Sequence, residues 1–235
     1  MASGKQRSIL QGHRNPVHAV AYSADGAAVV SGDEDGDIKA RAAARCSARN
    51  PMPGALRNRS RRAPRPQVWD PVSGECRTTH RSPDGPVASL SLSPDGARLA
   101  TAGGVLVARV WDLAGGTVSV TLEGHTAPVT CVAFSPDGAT VATGSRDRTA
   151  ALWSASDGAC RARLSGHGDA LLCVAFDRSG ALLATGGADG TAVVWDAAKG
   201  AELVSLRGHV GAVLSIAFSP DGSLVGTGGD DYTVR

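Results

Sequence analysis

Aromatic side chains are scarce in this sequence, at 4% of 235 residues, and long apolar stretches are missing. No run approaches the ~18 consecutive apolar residues that a membrane-spanning helix needs, so we expect no membrane association. The first ten residues are polar, include Lys5 and Arg7, and lack the apolar centre of a secretory signal. These absences argue against a membrane protein and against a secreted one.

Cysteine is also infrequent, with five residues in the chain, and none of them forms a Cys-x-x-Cys pair. An odd number without paired spacing argues against a disulfide framework and against a zinc site. Cys131 and Cys173 lie within apolar runs, which is typical of buried free thiols in a reducing compartment. We therefore expect an intracellular protein, cytoplasmic or nuclear, that holds neither a metal ion nor a cofactor.

Acidic residues are absent from one segment, residues 40–67, which carries eight arginines. The net charge of +2 conceals this asymmetry, because the rest of the chain has 16 basic and 22 acidic residues. A mildly acidic body and a basic segment need separate explanations. The arginines are Arg41, Arg45, Arg49, Arg57, Arg59, Arg61, Arg62 and Arg65.

The sequence does contain a strict internal repeat. Its four tryptophans follow one another at intervals of 42 residues, and the histidines of three Gly-His pairs keep the same interval. In the uninterrupted units that have both residues, 28 positions separate the histidine from the tryptophan. Repeats of this length are typical of stacked supersecondary units, so they decide the fold prediction. The residues are Trp69, Trp111, Trp153, Trp195, His125, His167 and His209.

Each unit has the same order of apolar runs and turns. After Gly124-His125 comes the apolar run 129–134, and then the turn 135–138 with the sequence Ser-Pro-Asp-Gly. Proline at the second position and glycine at the fourth suit a type I turn. Runs of about six residues between such turns predict strands, and consecutive apolar residues predict sheets that are covered on both faces.

The combination of Gly-His, 28 residues and Trp-Asp in a unit of 42 residues resembles the WD-repeat family of β-propellers. The resemblance covers nearly all of the chain except residues 40–67. It implies an all-β propeller of WD-type repeats, with four complete units and a truncated fifth. Propellers typically have about four to eight blades, and seven is the family's common number. We therefore expect the chain to be a fragment of a seven-bladed ring.

A hydroxyl, an acid and a histidine recur at fixed distances before the tryptophan. Such a set suggests a hydrolase, but a catalytic site is needed once, whereas this set recurs from unit to unit. The resemblance implies instead a hydrogen-bonded chain inside each blade. Indole only donates, hydroxyl and imidazole donate and accept, and carboxylate accepts, so the order Trp, Ser/Thr, His, Asp satisfies every group. The predicted members are His13, Ser31, Asp35, Trp69, His125, Thr143, Asp147, Trp153, His167, Thr185, Asp189, Trp195, His209, Thr227 and Asp231.

The second unit departs from this pattern. Pro83 stands at the histidine position and Val105 at the position of the acid, so only Thr101 and Trp111 remain. Because the histidine and the acid are both missing, neither is left buried without the other as its hydrogen-bond partner. We predict that this blade is held together least firmly.

An interruption separates the first histidine from its tryptophan. His13 and Trp69 are 56 positions apart, and deletion of residues 40–67 restores both the 28-residue interval and a strand that ends at Val68-Trp69. A strand interior is a poor place for an insertion, and this segment has too little apolar content to order itself. Three interpretations stay open: a translated intron in the gene model, a disordered loop, and a basic arm for nucleic acid or acidic partners.

The domain organisation follows from these units. Residues 1–39 are expected to contain a strand of the closing blade and the first part of blade 1. Residues 40–67 form the insertion, and residues 68–235 complete blade 1 and continue through blades 2 to 5. The next tryptophan is due just beyond Arg235, so the fifth unit stops within its third strand. An open arc of blades exposes sheet edges, which predicts self-association.

A rigid propeller offers loops on each face, which favours a non-catalytic scaffold that binds other proteins and assembles complexes. The resemblance implies that positions one, three and five after each Gly-His line the partner-binding face, together with the residue before each repeated acid. On this basis the predicted face contains Arg14, Pro16, His18, Glu34, Thr126, Pro128, Thr130, Arg146, Leu172, Leu214 and Asp230.

Three alternative functions stay open at this point. The basic segment 40–67 could contact RNA or DNA phosphates, although it has no aromatic residue for base stacking. The chain could be an enzyme, but no unrepeated cluster of His, Asp and Glu marks a catalytic site. It could also be an incomplete gene-model fragment without independent function.

Overall fold

The computed structural model describes residues 13, 15–22, 29–35, 37–39 and 79–235. Within these residues the regular elements are β-strands, which form four sheets of four strands and one sheet of two. None of the described residues forms a helix long and apolar enough to cross a membrane. The predicted all-β fold of repeated sheet units is confirmed.

Each sheet is one blade, and its strands are antiparallel neighbours in chain order. Blade 1 contains β1 (Val17–Tyr22), β2 (Val29–Asp33), β3 (Asp37–Lys39) and β4 (Thr79–Arg81). Blade 2 contains β5 (Ser89–Leu92), β6 (Arg98–Ala102), β7 (Ala108–Asp112) and β8 (Thr117–Leu122). Blade 3 contains β9 (Val129–Phe134), β10 (Thr140–Ser145), β11 (Thr149–Ser154) and β12 (Cys160–Ser165). Blade 4 contains β13 (Leu171–Phe176), β14 (Leu182–Gly187), β15 (Thr191–Asp196) and β16 (Ala201–Arg207). Blade 5 contains β17 (Val213–Phe218) and β18 (Val225–Gly229).

Blade 5 also has the beginning of a third strand. Gly228 bridges Val234, and the backbone N–H groups of Thr227 and Arg235 each donate to the other residue's carbonyl at 2.9 Å. Residues 234–235 therefore pair with β18. Arg14, Trp69 and residues 40–67 lie outside the described residues, so the predicted domain boundaries around them stay predictions.

The middle strands of the blades are buried on both faces. In β10 and β11 every residue except the first is buried, and β14 has the same pattern. Neighbouring blades provide the cover and are joined by hydrogen bonds: Val132 N–H donates to Ser89 Oγ at 3.1 Å, and Thr130 Oγ1 donates to the Leu171 carbonyl at 2.6 Å. Apolar residues at consecutive positions are therefore buried, as the sequence predicts.

In blades 2, 3 and 5 a Ser-Pro-Asp-Gly segment, residues 93–96, 135–138 and 219–222, forms the turn between the first two strands. In blade 3 the N–H of Gly138 donates to the Ser135 carbonyl at 2.9 Å, and Gly138 has a φ of +69°. A left-handed φ costs glycine little because it has no Cβ. Ser135 Oγ then accepts from Thr140 N–H at 2.9 Å and fixes the start of β10.

Antiparallel strands bring alternate connections to the same end of a blade. In blade 3 the links β8–β9 and β10–β11 lie at one end, together with His125 and Asp147. We call this the histidine end. The turns β9–β10 and β11–β12 lie at the opposite end, together with Pro136 and Asp157. We call this the turn end.

Candidate functional site

The repeated polar residues of blade 3 form one continuous hydrogen-bonded chain. Trp153 Nε1 donates to Thr143 Oγ1 at 2.8 Å, and Thr143 Oγ1 lies 2.7 Å from His125 Nε2. His125 Nδ1 lies 2.8 Å from a carboxylate oxygen of Asp147. A neutral imidazole fits this order: its Nδ1–H donates to the carboxylate, and its Nε2 accepts from the threonine hydroxyl.

Blade 4 repeats this geometry. Trp195 Nε1 donates to Thr185 Oγ1 at 2.8 Å, and His167 Nε2 lies 2.8 Å from the same hydroxyl oxygen. His167 Nδ1 lies 3.1 Å from a carboxylate oxygen of Asp189. The chain of donors and acceptors is therefore a property of the repeat.

Blade 5 contains the histidine half of the set. His209 Nε2 lies 2.9 Å from Thr227 Oγ1, and His209 Nδ1 lies 3.0 Å from Asp231. The carboxylate also accepts from the N–H of Val210 at 3.1 Å. It thereby holds the loop that follows the histidine against the blade.

The carboxylate in blade 3 is kept ionised by its hydrogen bonds. Burial raises the pKa of Asp147, but donors from the Thr149 hydroxyl, the Thr126 N–H and His125 outweigh burial and lower this pKa to about 2. Burial lowers the pKa of His125 below its ordinary value, although Asp147 opposes this shift. At neutral pH the pair is therefore a neutral imidazole that donates to a carboxylate.

The carboxylate of blade 1 differs from the predicted one. His13 Nε2 lies 2.7 Å from Ser31 Oγ as expected, but His13 Nδ1 contacts Asp33 Oδ2 at 2.6 Å and not Asp35. Asp33 is buried on β2, at the position where blade 3 has Ser145. From this position its carboxylate contacts the imidazole in place of Asp35. Asp35 instead lies exposed and accepts from the Asn15 side chain at 2.5 Å. The prediction of Asp35 as the partner of His13 is therefore wrong.

Blade 2 replaces the missing pair with an ion pair. Trp111 Nε1 donates to Thr101 Oγ1 at 2.9 Å, as the sequence predicts. Arg109 donates through Nε and Nη2 to both carboxylate oxygens of Asp84, and the Nη2 distance is 2.9 Å. The hydrogen bond with Asp84 raises the pKa of Arg109, although burial opposes it. This bidentate contact ties the loop before β5 to the third strand, β7. The expectation that blade 2 is held together least firmly stays a prediction.

The arrangement of these sets is unsuited to reaction with a substrate. Thr143 and Thr185 have no exposed surface, and each hydroxyl is already engaged with an indole and an imidazole. Among the described residues, no three or more His, Cys, Asp and Glu side chains are grouped so as to hold a metal ion.

The predicted partner-binding residues that the structure describes, which exclude Arg14, lie at the histidine end. Arg146 and Thr126 are exposed on blade 3, and Leu214 is 54% exposed on blade 5. Thr130 is half-buried, and its hydroxyl bonds the carbonyls of Gly144 and Leu171. It therefore joins two blades rather than presenting a free hydroxyl. Of the others, Pro16, His18, Glu34 and Asp230 are exposed, and Pro128 and Leu172 are half-buried.

Two further exposed apolar residues lie at this end: Val210, which stands at a predicted loop position, and Leu106, which was not part of the predicted face. Val210 follows the Gly-His pair of blade 5 and is 93% exposed, and Leu106 is 48% exposed between β6 and β7. Both lie in loops where other blades have polar residues, such as Thr126 and Arg148. An apolar residue at a polar loop position is the signal that could have identified Leu106.

Comparison with known families identifies the repeat. Five segments match the family model described as WD domain, G-beta repeat, and together they cover more than half of the chain. The unmatched residues 41–73 include nearly all of the predicted insertion. A comparison with curated proteins found no match. The matched segments are residues 4–40, 74–112, 116–154, 158–196 and 200–235.

Proposed function

The chain belongs to the WD-repeat family, whose repeats generally mediate protein–protein interaction, and from this premise we propose that it is a non-catalytic scaffold that binds other proteins through its histidine end. One observation carries the proposal. In blades 3, 4 and 5 the hydrogen-bonded histidine, threonine and acid are the same, whereas the exposed loop residues around them differ. At one equivalent loop position the blades carry Thr126, Gly168 and Val210.

A fixed frame with variable loops is suited to recognition. Because the hydrogen-bonded sets hold the loops, few conformations are lost when a partner binds. The exposed residues Leu106, Val210 and Leu214 supply apolar contact area, and Glu34, Arg146 and Asp230 supply charges of both signs. Mixed charge around apolar residues is typical of protein interfaces.

The same geometry favours a non-catalytic role, which is the usual one for WD-repeat proteins. The proposal includes a reducing intracellular compartment, cytoplasmic or nuclear, in agreement with the free thiols of Cys131, Cys160 and Cys173. The alternative of nucleic-acid binding depends on residues 40–67, which lie outside the described part of the chain.

The proposal is tested by capture of partner proteins on the immobilised full chain. The variant Val210→Glu/Leu214→Glu places two charges on the histidine end at positions that are already exposed, so folding is preserved. Leu224→Glu is the matched control, because Leu224 is 70% exposed on the same blade at the turn end. We expect proteins that the wild type and the control retain and the double variant loses. Equal capture by all three chains contradicts the proposed binding face.

A further inference from the structure

The crevice between blades 3 and 4 contains a cavity of about 290 Å³ at the turn end. Leu152, Ala162 and Phe176 form an apolar floor, and Thr140 and Asp137 contribute polar groups. The cavity lies at the opposite end of the blades from the repeated histidines, so the polar sets described above have no part in it.

The equivalent crevice between blades 2 and 3 is filled by an arginine. Arg98 Nη1 donates to the Ala155 carbonyl at 3.1 Å, and Nη2 donates to the Gly138 carbonyl at 2.7 Å. The centre of the guanidinium lies 5.6 Å from the centroid of the Phe134 ring. This crevice therefore binds a guanidinium through two backbone acceptors and one aromatic face.

Because the sequence repeats every 42 residues, the cavity has the same two backbone acceptors and the same aromatic residue. Phe176, Gly180 and Ala197 line it at the positions of Phe134, Gly138 and Ala155. Thr140 stands where blade 2 has Arg98, and its side chain is too short to cross the crevice. Within the described part of the chain, the carbonyls of Gly180 and Ala197 accept no hydrogen bond.

The two crevices have the same spacing between blades. A Cβ added to Gly138 would lie 3.2 Å from Cδ of Pro94, and one added to Gly180 would lie 3.3 Å from Cδ of Pro136. The cavity thus arises from the exchange of arginine for threonine and not from a wider separation of the blades.

The crevice between blades 4 and 5 has an apolar side chain at this position. Leu182 occupies the position of Arg98 and Thr140, and it belongs with Phe218 to one apolar cluster. A guanidinium therefore fills one crevice and an apolar side chain lies in another, whereas the crevice at Thr140 contains a cavity.

The charges around the cavity favour a cation. Hydrogen bonds from the Ser135 hydroxyl and the Ala139 N–H lower the pKa of Asp137, so its carboxylate is ionised at neutral pH. Arg161 lies at the rim, where its Nη1 donates to Thr140 Oγ1 at 3.0 Å. Asp137 and Asp157 both interact electrostatically with this arginine, so its positive charge is offset by two carboxylates.

We propose that the crevice between blades 3 and 4 binds the arginine side chain of a partner protein. Its guanidinium donates to the carbonyls of Gly180 and Ala197 and lies over the ring of Phe176, as Arg98 does one blade earlier. The site rests on the proposed scaffold function only because its occupant belongs to another protein, and it uses the opposite end of the blades.

The probe is N-acetyl-arginine-N-methylamide, titrated into the isotopically labelled full chain and followed by amide NMR shifts. We expect saturable shifts centred on Gly180 and Ala198. The lysine and citrulline analogues should bind at least about fivefold more weakly, because lysine lacks the planar fork and citrulline lacks the charge. Shifts centred elsewhere, or equal binding of the three analogues, overturn the proposal.

Two substitutions at one repeat position test the geometry in opposite directions. Thr140→Arg fills the cavity with the chain's own guanidinium and should abolish binding of the probe. Arg98→Thr opens the crevice between blades 2 and 3 and should create a second site, with new shifts at Gly138 and Ser156. Unchanged binding by folded Thr140→Arg overturns the proposal.

A third variant tests the site even if Arg98→Thr fails to fold. Phe176→Leu retains an apolar floor but removes the aromatic face, and it should weaken binding of the probe about threefold or more. The Val210→Glu/Leu214→Glu variant should bind the probe like the wild type. A failure of capture at the histidine end and a failure of arginine binding at the turn end are thereby distinguished.

Discussion

The indole of Trp153 donates to Thr143 Oγ1 over 2.8 Å, and both side chains are buried. The same hydroxyl oxygen lies 2.7 Å from His125 Nε2, so one small side chain joins the third strand of the blade to the loop that precedes its first strand. Because neither the indole nor the imidazole has another route to water, this hydroxyl controls two buried polar groups at once.

Removal of that hydroxyl should therefore destabilise the protein. Thr143→Val and Thr185→Val retain the shape of the side chain and leave an indole N–H and an imidazole nitrogen without a partner. At about 1–3 kcal/mol for each orphaned group, we expect a loss of roughly 2–4 kcal/mol in the free energy of unfolding, measured with urea. Thr117→Val, at an exposed position of β8, is the control and should change little. A loss below about 0.5 kcal/mol in both buried variants contradicts the structural role.

Acid should destabilise the blades through the same sets. The pKa of Asp147 and of Asp189 is about 2 in the folded chain, below the ordinary 3.8, so the unfolded chain binds protons first as the pH falls. The stability that these carboxylates contribute is complete above about pH 4 and is lost as the pH approaches 2. Urea midpoints measured between pH 5 and 2 should fall steeply for the wild type and less steeply for Asp147→Asn/Asp189→Asn. Equal slopes would show that these carboxylates do not govern acid unfolding.

The Arg109–Asp84 pair should stabilise blade 2 more than a surface pair does. Both side chains are mostly buried, at 22% and 19% exposure, whereas Lys199 in the Lys199–Asp196 pair is 78% exposed. A double-mutant cycle with Arg109→Met and Asp84→Asn should give a coupling energy of about 1–2 kcal/mol, and the cycle at Lys199–Asp196 below about 0.5 kcal/mol. If the two couplings are equal, the ion pair does not replace the missing histidine and acid.

Close packing between blades should forbid a side chain at one repeated glycine position. A Cβ at Gly144 would lie 3.1 Å from Cβ of Leu171 in the next blade, and one at Gly186 would lie 2.7 Å from Cγ1 of Val213 in the next blade. Gly144→Ala and Gly186→Ala should each lower the melting temperature, at a cost of about 1–3 kcal/mol. Gly228→Ala is the matched control, since its Cβ meets only Cβ of Ser215 at 3.9 Å. Equal effects at the three positions would contradict this packing.

The repeat in the sequence was sufficient to predict the strands, the turns and most of the polar sets. A period of 42 residues aligns chemically equivalent side chains, so Thr185 and Trp195 could be paired by counting from Thr143 and Trp153. The prediction succeeded because equivalent residues are buried and hydrogen-bonded in the same way in these blades.

Prediction from the repeat failed where one blade makes these hydrogen bonds with a residue at a different position. Asp33 replaces Asp35 because a carboxylate two residues earlier already reaches His13 from the strand. The Arg109–Asp84 pair joins two positions that are not paired in the other blades, so no period could reveal it. The cavity at Thr140 likewise depends on side-chain length across two blades, which becomes visible only when the blades are packed together.

The most direct test of the central claim compares the capture of one identified partner by two kinds of variant at equal concentrations of folded protein. The account predicts that Thr185→Val, which weakens the interior of blade 4, binds the partner within about twofold of the wild type. It predicts that Val210→Glu/Leu214→Glu, which retains the stability of the wild type, binds at least about tenfold more weakly. If the buried variant loses the partner while the loop variant keeps it, the repeated polar set is a binding site and the assignment of scaffold and surface is wrong.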